Sequence, residues 1–371
     1  MAASISPGCA ALAAGASIRQ SDKCQSRGAF ARPVITSQRP DPSSCRQVFA
    51  QAASTASAVT TSPDQTERVL HELPSGYKME VLIRRADLDA KAVGTDPEQQ
   101  LPSLVFIHGS YHAAWCWADK WMPYLSALGF DCFAISILGQ GGSDVPNAPV
   151  AGTVQSHAAD VSNVIRQLVG RPPVLVGHSF GGLIVQAYLA DVAKDWESSK
   201  DDGVPFAPLT GAVLACSVPP TGNMELVKRY MRTRPILSIK ITLSLAAKLF
   251  RSSLSLCRDS FFSPALPEAE VKRYQALLSD SSKLPLFDLR SLNASLPVAK
   301  PPAYCPPVMV LGAADDVIVD DQGVRETAEF FSTEAVVLPG MPHDLMLDLG
   351  WKDAADAMLQ WLANHGAIPK Q

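Results

Sequence analysis

The chain has 371 residues, a formal net charge of −4 and a hydrophobic fraction of 47%. A chain of this length and composition can bury a full-sized core, so one large catalytic domain is expected. The acidic balance argues against nucleic acid as the main partner. The sequence also contains no apolar run of about eighteen residues, the length that would predict a transmembrane helix.

Residues 1 to 60 differ in composition from the rest and predict a targeting segment. They are rich in Ala and Ser and carry two acidic residues against six basic ones, which are Arg19, Lys23, Arg27, Arg32, Arg39 and Arg46. Hydroxyl residues, positive charge and the lack of a long apolar core fit an organelle transit peptide better than a secretory signal. The Ser and Pro content favours a chloroplast, either its stroma or a membrane-associated location. The alternative is a disordered tail without a targeting role.

Residues 61 to 371 are then the folded body. Five of the eight cysteines fall there, at scattered positions. An odd number without regular spacing does not indicate a disulfide framework, and it suits a reducing compartment.

The body begins with two segments, residues 68–73 and 78–83, that predict edge strands joined by a turn. Six unbroken runs rich in Val, Ile and Leu follow, with room for helices between them. They are Ser103 to Ile107, Asp131 to Ile135, Val174 to Gly177, Ala212 to Cys216, Val308 to Leu311 and Ala335 to Leu338. Such runs suit strands that are buried on both faces of a parallel sheet. The pattern predicts a doubly wound α/β sheet.

The alternation of strand and helix stops between about residues 220 and 303, where mainly helical segments predict a cap over the carboxyl edge of the sheet. Residues 225–258 mix Leu, Ile, Met and Phe with eight Lys or Arg. Two interpretations stay open. A basic amphipathic surface can rest on anionic lipid. Amphipathic helices more commonly turn a polar face to solvent, and here their apolar side would line the pocket.

The stretch Gly177-His178-Ser179-Phe180-Gly181 follows one of the buried runs directly. A serine between small residues, at a sharp turn from strand to helix, is the G-x-S-x-G nucleophile elbow. Such a turn strains the backbone of the serine and lifts its hydroxyl clear of the sheet. The amides at the start of the next helix then point at the same spot, where they can stabilise an oxyanion.

A serine is a poor nucleophile at neutral pH and needs a histidine base, which in turn needs a carboxylate. The run 308–311 is followed by Asp315 and Asp316, and the run 335–338 by His343. The order Ser, Asp, His is the one expected for this sheet type.

With these motifs the chain resembles the α/β-hydrolase superfamily over roughly residues 68 to 365. The segments that carry the resemblance are similar to plant methyl esterases, hydroxynitrile lyases and plastid relatives. They are Ile107-His108-Gly109-Ser110-Tyr111-His112, Trp115-Cys116-Trp117, Gly177-His178-Ser179-Phe180-Gly181-Gly182 and His343-Asp344-Leu345-Met346.

The resemblance implies that Ser179 is the nucleophile and His343 the general base. A spacing of four residues past Gly312 selects Asp316 as the acid, whereas a spacing of three selects Asp315. The resemblance also implies an oxyanion hole formed by the backbone amides of Ser110 and Phe180, two positions that follow His108-Gly109 and the nucleophile.

The expected reaction is hydrolysis of a small, largely apolar ester through an acyl-enzyme. No cofactor or metal is expected, because the histidines lack zinc-binding spacing and no dinucleotide-binding motif follows an early strand. Two alternatives remain: a hydroxynitrile-lyase type reaction that uses the same serine and histidine, and a hormone-receptor-like protein with slow turnover.

Overall fold

The computed structural model describes residues 66–87, 101–198, 206–301 and 305–366. The targeting segment predicted for residues 1 to 60 lies outside the described residues. Within the described ranges, none of the helices combines the length and apolar character needed to cross a bilayer.

Eight strands form one sheet in the order β1-β2-β4-β3-β5-β6-β7-β8. They are β1 (Thr66–Glu72), β2 (Lys78–Arg84), β3 (Leu104–Ile107), β4 (Cys132–Ile135), β5 (Val174–His178), β6 (Gly211–Ala215), β7 (Val308–Ala313) and β8 (Ala335–Leu338). The pairings β1-β2 and β2-β4 are antiparallel and the others are parallel. This confirms the predicted α/β sheet.

One strand prediction is wrong. Of the two segments predicted as edge strands, β1 lies at an edge and β2 does not, because β2 pairs with β1 on one side and with β4 on the other. The strands β1 and β2, which have similar polarity in the sequence, therefore take different places in the sheet. The second neighbour explains why β2 is largely buried while β1 alternates between half-buried and exposed residues.

The sheet is covered on both faces, which explains why the inner strands are continuously apolar. In β3, Leu104 and Phe106 point into one hydrophobic cluster and Val105 and Ile107 into the other. Successive side chains of a strand point to opposite faces, so both faces need apolar residues.

Helices flank the sheet and follow its strands. They are α1 (Trp115–Ala118), α2 (Trp121–Ala127), α3 (Val154–Val164), which continues into a π-helical turn, and α4 (Phe180–Ser198). The start of α3 is set by a capping box. The Thr153 hydroxyl accepts from the Ser156 amide, and the Ser156 hydroxyl accepts from the Thr153 amide.

The predicted cap is a helical insert between β6 and β7. It contains α5 (Met224–Thr233), α6 (Pro235–Ala246), a 3₁₀ turn (Leu249–Arg251), α7 (Leu254–Phe261), α8 (Glu268–Ser281) and α9 (Leu289–Ser295). Two bidentate ion pairs tie it to the sheet domain: Arg273 with Asp119 in the loop after α1, and Arg229 with Asp320 before α10 (Asp321–Phe330). The helix α11 (Trp351–Asn364) completes the fold.

Candidate active site

Ser179 is the single residue between the end of β5 and the start of α4. Its φ is +55°, a left-handed conformation that is unfavourable for a residue with a side chain. The flanking glycines make the turn possible. A Cβ on Gly177 would lie 2.6 Å from the Gly181 carbonyl oxygen, and one on Gly181 would lie 2.5 Å from the His108 carbonyl oxygen. The start of α4 therefore lies too close to β5 and to the end of β3 for a side chain at either position.

The backbone of Ser179 is held on both sides. Its amide donates to the Ala215 carbonyl at 3.1 Å, and its carbonyl accepts from the amides of Gly182 and Val218 at 3.0 and 3.1 Å. These bonds connect the turn to the end of β6 and hold the strained conformation in place. The residue is 5% exposed, so the hydroxyl lies in a nearly closed site.

Asp316 and His343 form a buried pair. Nδ1 of His343 donates to Oδ2 of Asp316 at 2.7 Å, and Oδ1 of Asp316 accepts from the amides of Ile318 and Val319 at 2.7 and 2.9 Å. With Nδ1 occupied as a donor, Nε2 is the nitrogen of His343 that can accept a proton. Asp315 is exposed on the other side of the turn. The structure thus brings Asp316, and not Asp315, to His343.

His178, the residue before Ser179, contacts His343 directly. Its Nε2 donates to the His343 carbonyl oxygen at 2.9 Å, and the two rings lie 4.6 Å apart. Burial lowers the pKa of His178 well below its usual value, and the charge of His343 lowers it further. His178 therefore stays neutral, with its proton on Nε2, which donates to the His343 carbonyl.

The electrostatics of His343 combine opposing effects. Burial lowers its pKa, but the charge of Asp316, the hydrogen bond to it and the charge of Asp344 raise it, and the net pKa lies above the usual 6.5. A basic imidazole held by a carboxylate is the arrangement that general-base catalysis needs.

The loop after β3 packs directly against the nucleophile turn. Nδ1 of His108 donates to the Gly109 carbonyl at 2.8 Å, and the Ile137 amide donates to Nε2 of His108 at 3.0 Å. A Cβ on Gly109 would lie 2.7 Å from Cβ of Ser179. His108 thus anchors the loop, and Gly109 permits its close approach to Ser179. Ser110 is the next residue after Gly109. Tyr111 then adopts a left-handed conformation with a φ of +69°.

Comparison with known proteins identifies the family. A model of the alpha/beta hydrolase family matches residues 104–358. The chain belongs to the alpha/beta hydrolase family.

Sequence relatives of this alpha/beta hydrolase include plant and animal methylesterases. Methylesterase 1 of Arabidopsis thaliana is 33% identical over 87 residues, which are 23% of this chain and 33% of that protein. Protein phosphatase methylesterase 1 of Mus musculus is 35% identical over 86 residues, 22% of each chain. The match therefore spans about a third or less of the length of these relatives.

Among solved structures, an esterase from Exiguobacterium antarcticum has a TM-score of 0.56 at 16% identity and covers 80% of this chain and 99% of its own. A putative lipase from Acinetobacter baumannii has a TM-score of 0.54 at 14% identity and covers 86% of this chain and 96% of its own. At these identities the likeness establishes the shared fold.

A second histidine–aspartate pair lies beside the first, and sequence reasoning missed it. Nε2 of His112 lies 2.9 Å from Oδ2 of Asp344, and Nδ1 of His112 lies 2.9 Å from the Ser110 carbonyl oxygen. The side chains of His112 and Asp344 are both buried. The pair joins the loop of Ser110 to the segment of His343.

Cys216 lies beside the proposed acid. It is the residue directly after β6, has a φ of +43°, and its Sγ is within 4.8 Å of a carboxylate oxygen of Asp316. Burial and the Asp316 charge raise its pKa well above the usual value. The thiol therefore stays protonated beside the carboxylate.

Two groups of described residues bring three potential metal ligands within 4.8 Å: His178, His343 and Asp344, and Cys216, Asp316 and His343. Both groups use His343, whose Nδ1 already donates to Asp316. A cation bound through Nδ1 would have to replace that hydrogen bond. The expectation of no metal and no cofactor stays a prediction.

Proposed function

We propose that the protein is a carboxylic ester hydrolase in which Ser179 is the nucleophile, His343 the general base and Asp316 the acid of the triad. The observation that carries this proposal is the buried 2.7 Å hydrogen bond between His343 and Asp316, next to a serine held at a φ of +55°. Family membership and the similarity to methylesterases support it.

In the proposed first step, Oγ of Ser179 attacks the ester carbonyl while Nε2 of His343 takes the hydroxyl proton. His343 then gives that proton to the oxygen of the leaving alcohol, and an acyl-enzyme remains. A water molecule attacks this intermediate with His343 again as base, which releases the acid and restores the serine. Asp316 stabilises the imidazolium that forms in each half of the reaction.

The proposed oxyanion hole uses the backbone amides of Phe180 and Ser110. Phe180 is the first residue of α4, so its amide is among those without an acceptor inside the helix, at the positive end of the helix dipole. Ser110 follows Gly109, whose close approach to Ser179 supports the second donor. Two donors aimed at the developing negative charge stabilise the transition state.

The proposed substrate is a small, largely apolar ester, and methyl esters are the first candidates because the matched relatives are methylesterases. Aromatic side chains from the insert lie near both proposed oxyanion residues. The rings of Phe180 and Phe287 are 5.6 Å apart, and those of Tyr111 and Phe250 are 4.8 Å apart. Apolar walls of this kind suit an uncharged acyl or alcohol group.

The test combines covalent labelling with a substrate panel. A fluorophosphonate probe should label the wild-type protein and not Ser179→Ala, and methyl and p-nitrophenyl esters of rising acyl length should be hydrolysed by the wild type alone. Esterase activity that survives in Ser179→Ala would refute the mechanism. Cleavage of a cyanohydrin without ester hydrolysis would favour the lyase, and labelling with only slow, single-turnover hydrolysis would favour the receptor-like alternative.

A further inference from the structure

The helix α6 exposes an unusual number of apolar side chains for a surface helix. Its buried side carries Ser238, Ile241 and Ser244, which are 4%, 6% and 0% exposed. Its outer side carries Ile236, Ile239 and Leu243, which are 84%, 51% and 51% exposed. Positions i, i+3 and i+7 lie on one face of a helix, so the three apolar side chains form a single stripe.

The inward face of α6 combines polar and apolar contacts. The hydroxyls of Ser244 and Ser260, the latter on α7, lie 2.8 Å apart and hydrogen-bond. This satisfies buried polar groups that would otherwise destabilise the packing. Ile241 is buried on the same side, and Leu245 packs against a hydrophobic core cluster. The interpretation that the apolar side of the cap helices lines the pocket stays a prediction.

The exposed apolar surface continues beyond α6. Of the ten large hydrophobic residues exposed in the described part of the chain, six lie between positions 224 and 249, the others of this group being Met224, Met231 and Leu249. Single exposed apolar residues are ordinary, but a concentration of them marks a surface that contacts another apolar phase.

The same segment is strongly cationic. Residues 224–258 contain eight Lys or Arg and one Glu, a formal charge of +7 in a chain whose net charge is −4. Some of this charge is neutralised locally, as in the ion pair of Lys240 with Asp259. Arg232 and Arg234 are exposed, and neither forms an ion pair with any carboxylate in the described ranges. They immediately precede the apolar stripe of α6.

We propose that Met231, Arg232, Arg234, Ile236, Ile239 and Leu243, here called the α5–α6 surface, dock the protein on an anionic lipid bilayer. Apolar side chains of an interfacial helix enter the boundary between headgroups and acyl chains, while adjacent Arg and Lys contact anionic headgroups. Charge complementarity favours a bilayer over a second copy of this chain, since a symmetric pairing would bring the unpaired arginines of both copies together. The proposal is independent of the esterase activity.

The full chain is mixed with phosphatidylcholine vesicles that contain or lack phosphatidylglycerol, and the bound fraction is measured by sedimentation. Wild-type protein should bind the anionic vesicles, and binding should weaken as salt is added. The variant Ile236→Ser/Ile239→Ser/Leu243→Ser and the variant Arg232→Gln/Arg234→Gln should each lower the partition coefficient about tenfold or more.

A matched control replaces exposed leucines elsewhere, with Leu70→Ser/Leu349→Ser, and should bind vesicles as the wild type does. Circular dichroism and hydrolysis of a water-soluble ester check that each variant is folded, because the α5–α6 surface lies outside the proposed catalytic residues. Absence of binding to anionic vesicles, or equal binding by the Ile and Leu variant, would overturn the proposal. A wild-type dimer in analytical ultracentrifugation that this variant converts to a monomer would also overturn it, and would assign the surface to self-association.

Discussion

Nδ1 of His343 donates a 2.7 Å hydrogen bond to Asp316, whereas the adjacent Asp315 faces solvent. Two neighbouring carboxylates thus have different environments. Asp316 is also fixed by the backbone amides of Ile318 and Val319. Only this carboxylate can hold the tautomer of His343 and stabilise its cation.

Replacing Asp316 by Asn should therefore lower kcat about 10³- to 10⁴-fold with little change in KM, since an amide favours the wrong tautomer of the base. The matched control is Asp315→Asn, which should keep kcat within about twofold because exposed charges act weakly on a buried site. Steady-state hydrolysis of a p-nitrophenyl ester measures both variants. A larger loss in Asp315→Asn would contradict the assignment.

The strain at Ser179 predicts a difference in stability between two inactive variants. Both Ser179→Ala and Ser179→Gly should abolish fluorophosphonate labelling. The glycine variant should have a free energy of unfolding in urea about 1 kcal/mol higher than the alanine variant, because glycine adopts positive φ without a Cβ penalty.

The control pair is Ser279→Ala and Ser279→Gly, in helix α8, where glycine should be the less stable variant. If alanine were the more stable residue at both positions, the left-handed turn would store no strain.

The charge of Asp344 predicts a pH effect. His343 must be neutral to act as a base, and its raised pKa means that kcat/KM should fall as the pH drops through a value above 6.5. Asp344→Asn removes a negative charge that raises this pKa, so the acid limb of the profile should move to lower pH. The measurement is kcat/KM against pH for both proteins.

Asp348→Asn is the control for this profile. Asp348 is buried in the same segment but binds the amide and hydroxyl of Ser263, at 2.8 and 2.7 Å. Its loss should lower thermal stability and leave the acid limb unchanged. A profile in which Asp344→Asn moves the acid limb upward, or leaves it unmoved, would refute the proposed coupling.

Gly109 predicts a steric effect on the nucleophile. A methyl group in Gly109→Ala would lie 2.7 Å from Cβ of Ser179 and 3.2 Å from Nδ1 of His178, so the turn or the loop must move. A displacement of this kind should lower kcat about 10²-fold.

Gly170→Ala is the control for this effect. Gly170 has a positive φ and no atom within 4 Å of an added Cβ, so this substitution should reduce stability alone. Comparable kcat losses in both variants would exclude a local clash as the cause.

We also propose that residues 1 to 60 direct the protein to chloroplasts. A fusion of this segment to a fluorescent reporter should enter chloroplasts in plant cells, because its positive charge and hydroxyl content are typical of transit peptides. The control fusion, with the six basic residues of the segment changed to glutamine, should stay in the cytosol. Cytosolic fluorescence of the unaltered fusion would refute the proposal.

The sequence by itself determined the fold and the candidate nucleophile. Short, continuous apolar runs rich in Val and Ile favour strands buried on both faces, and the elbow around Ser179 is indicated by glycines two residues away on either side. These determinants are local, so they can be recognised without knowing what lies across the sheet. The order serine, aspartate, histidine also followed from the positions of the strand ends, with Asp315 and Asp316 both open as the acid.

The tertiary structure decided what depends on contacts between distant segments. His112 and Asp344 are 232 positions apart, and no local pattern indicates that they pair. The choice of Asp316 over Asp315 depended on the direction in which the turn after β7 aims each side chain. Apolar residues occur on both sides of α6, so the sequence does not indicate that Ile241 is packed while Ile236, Ile239 and Leu243 are exposed.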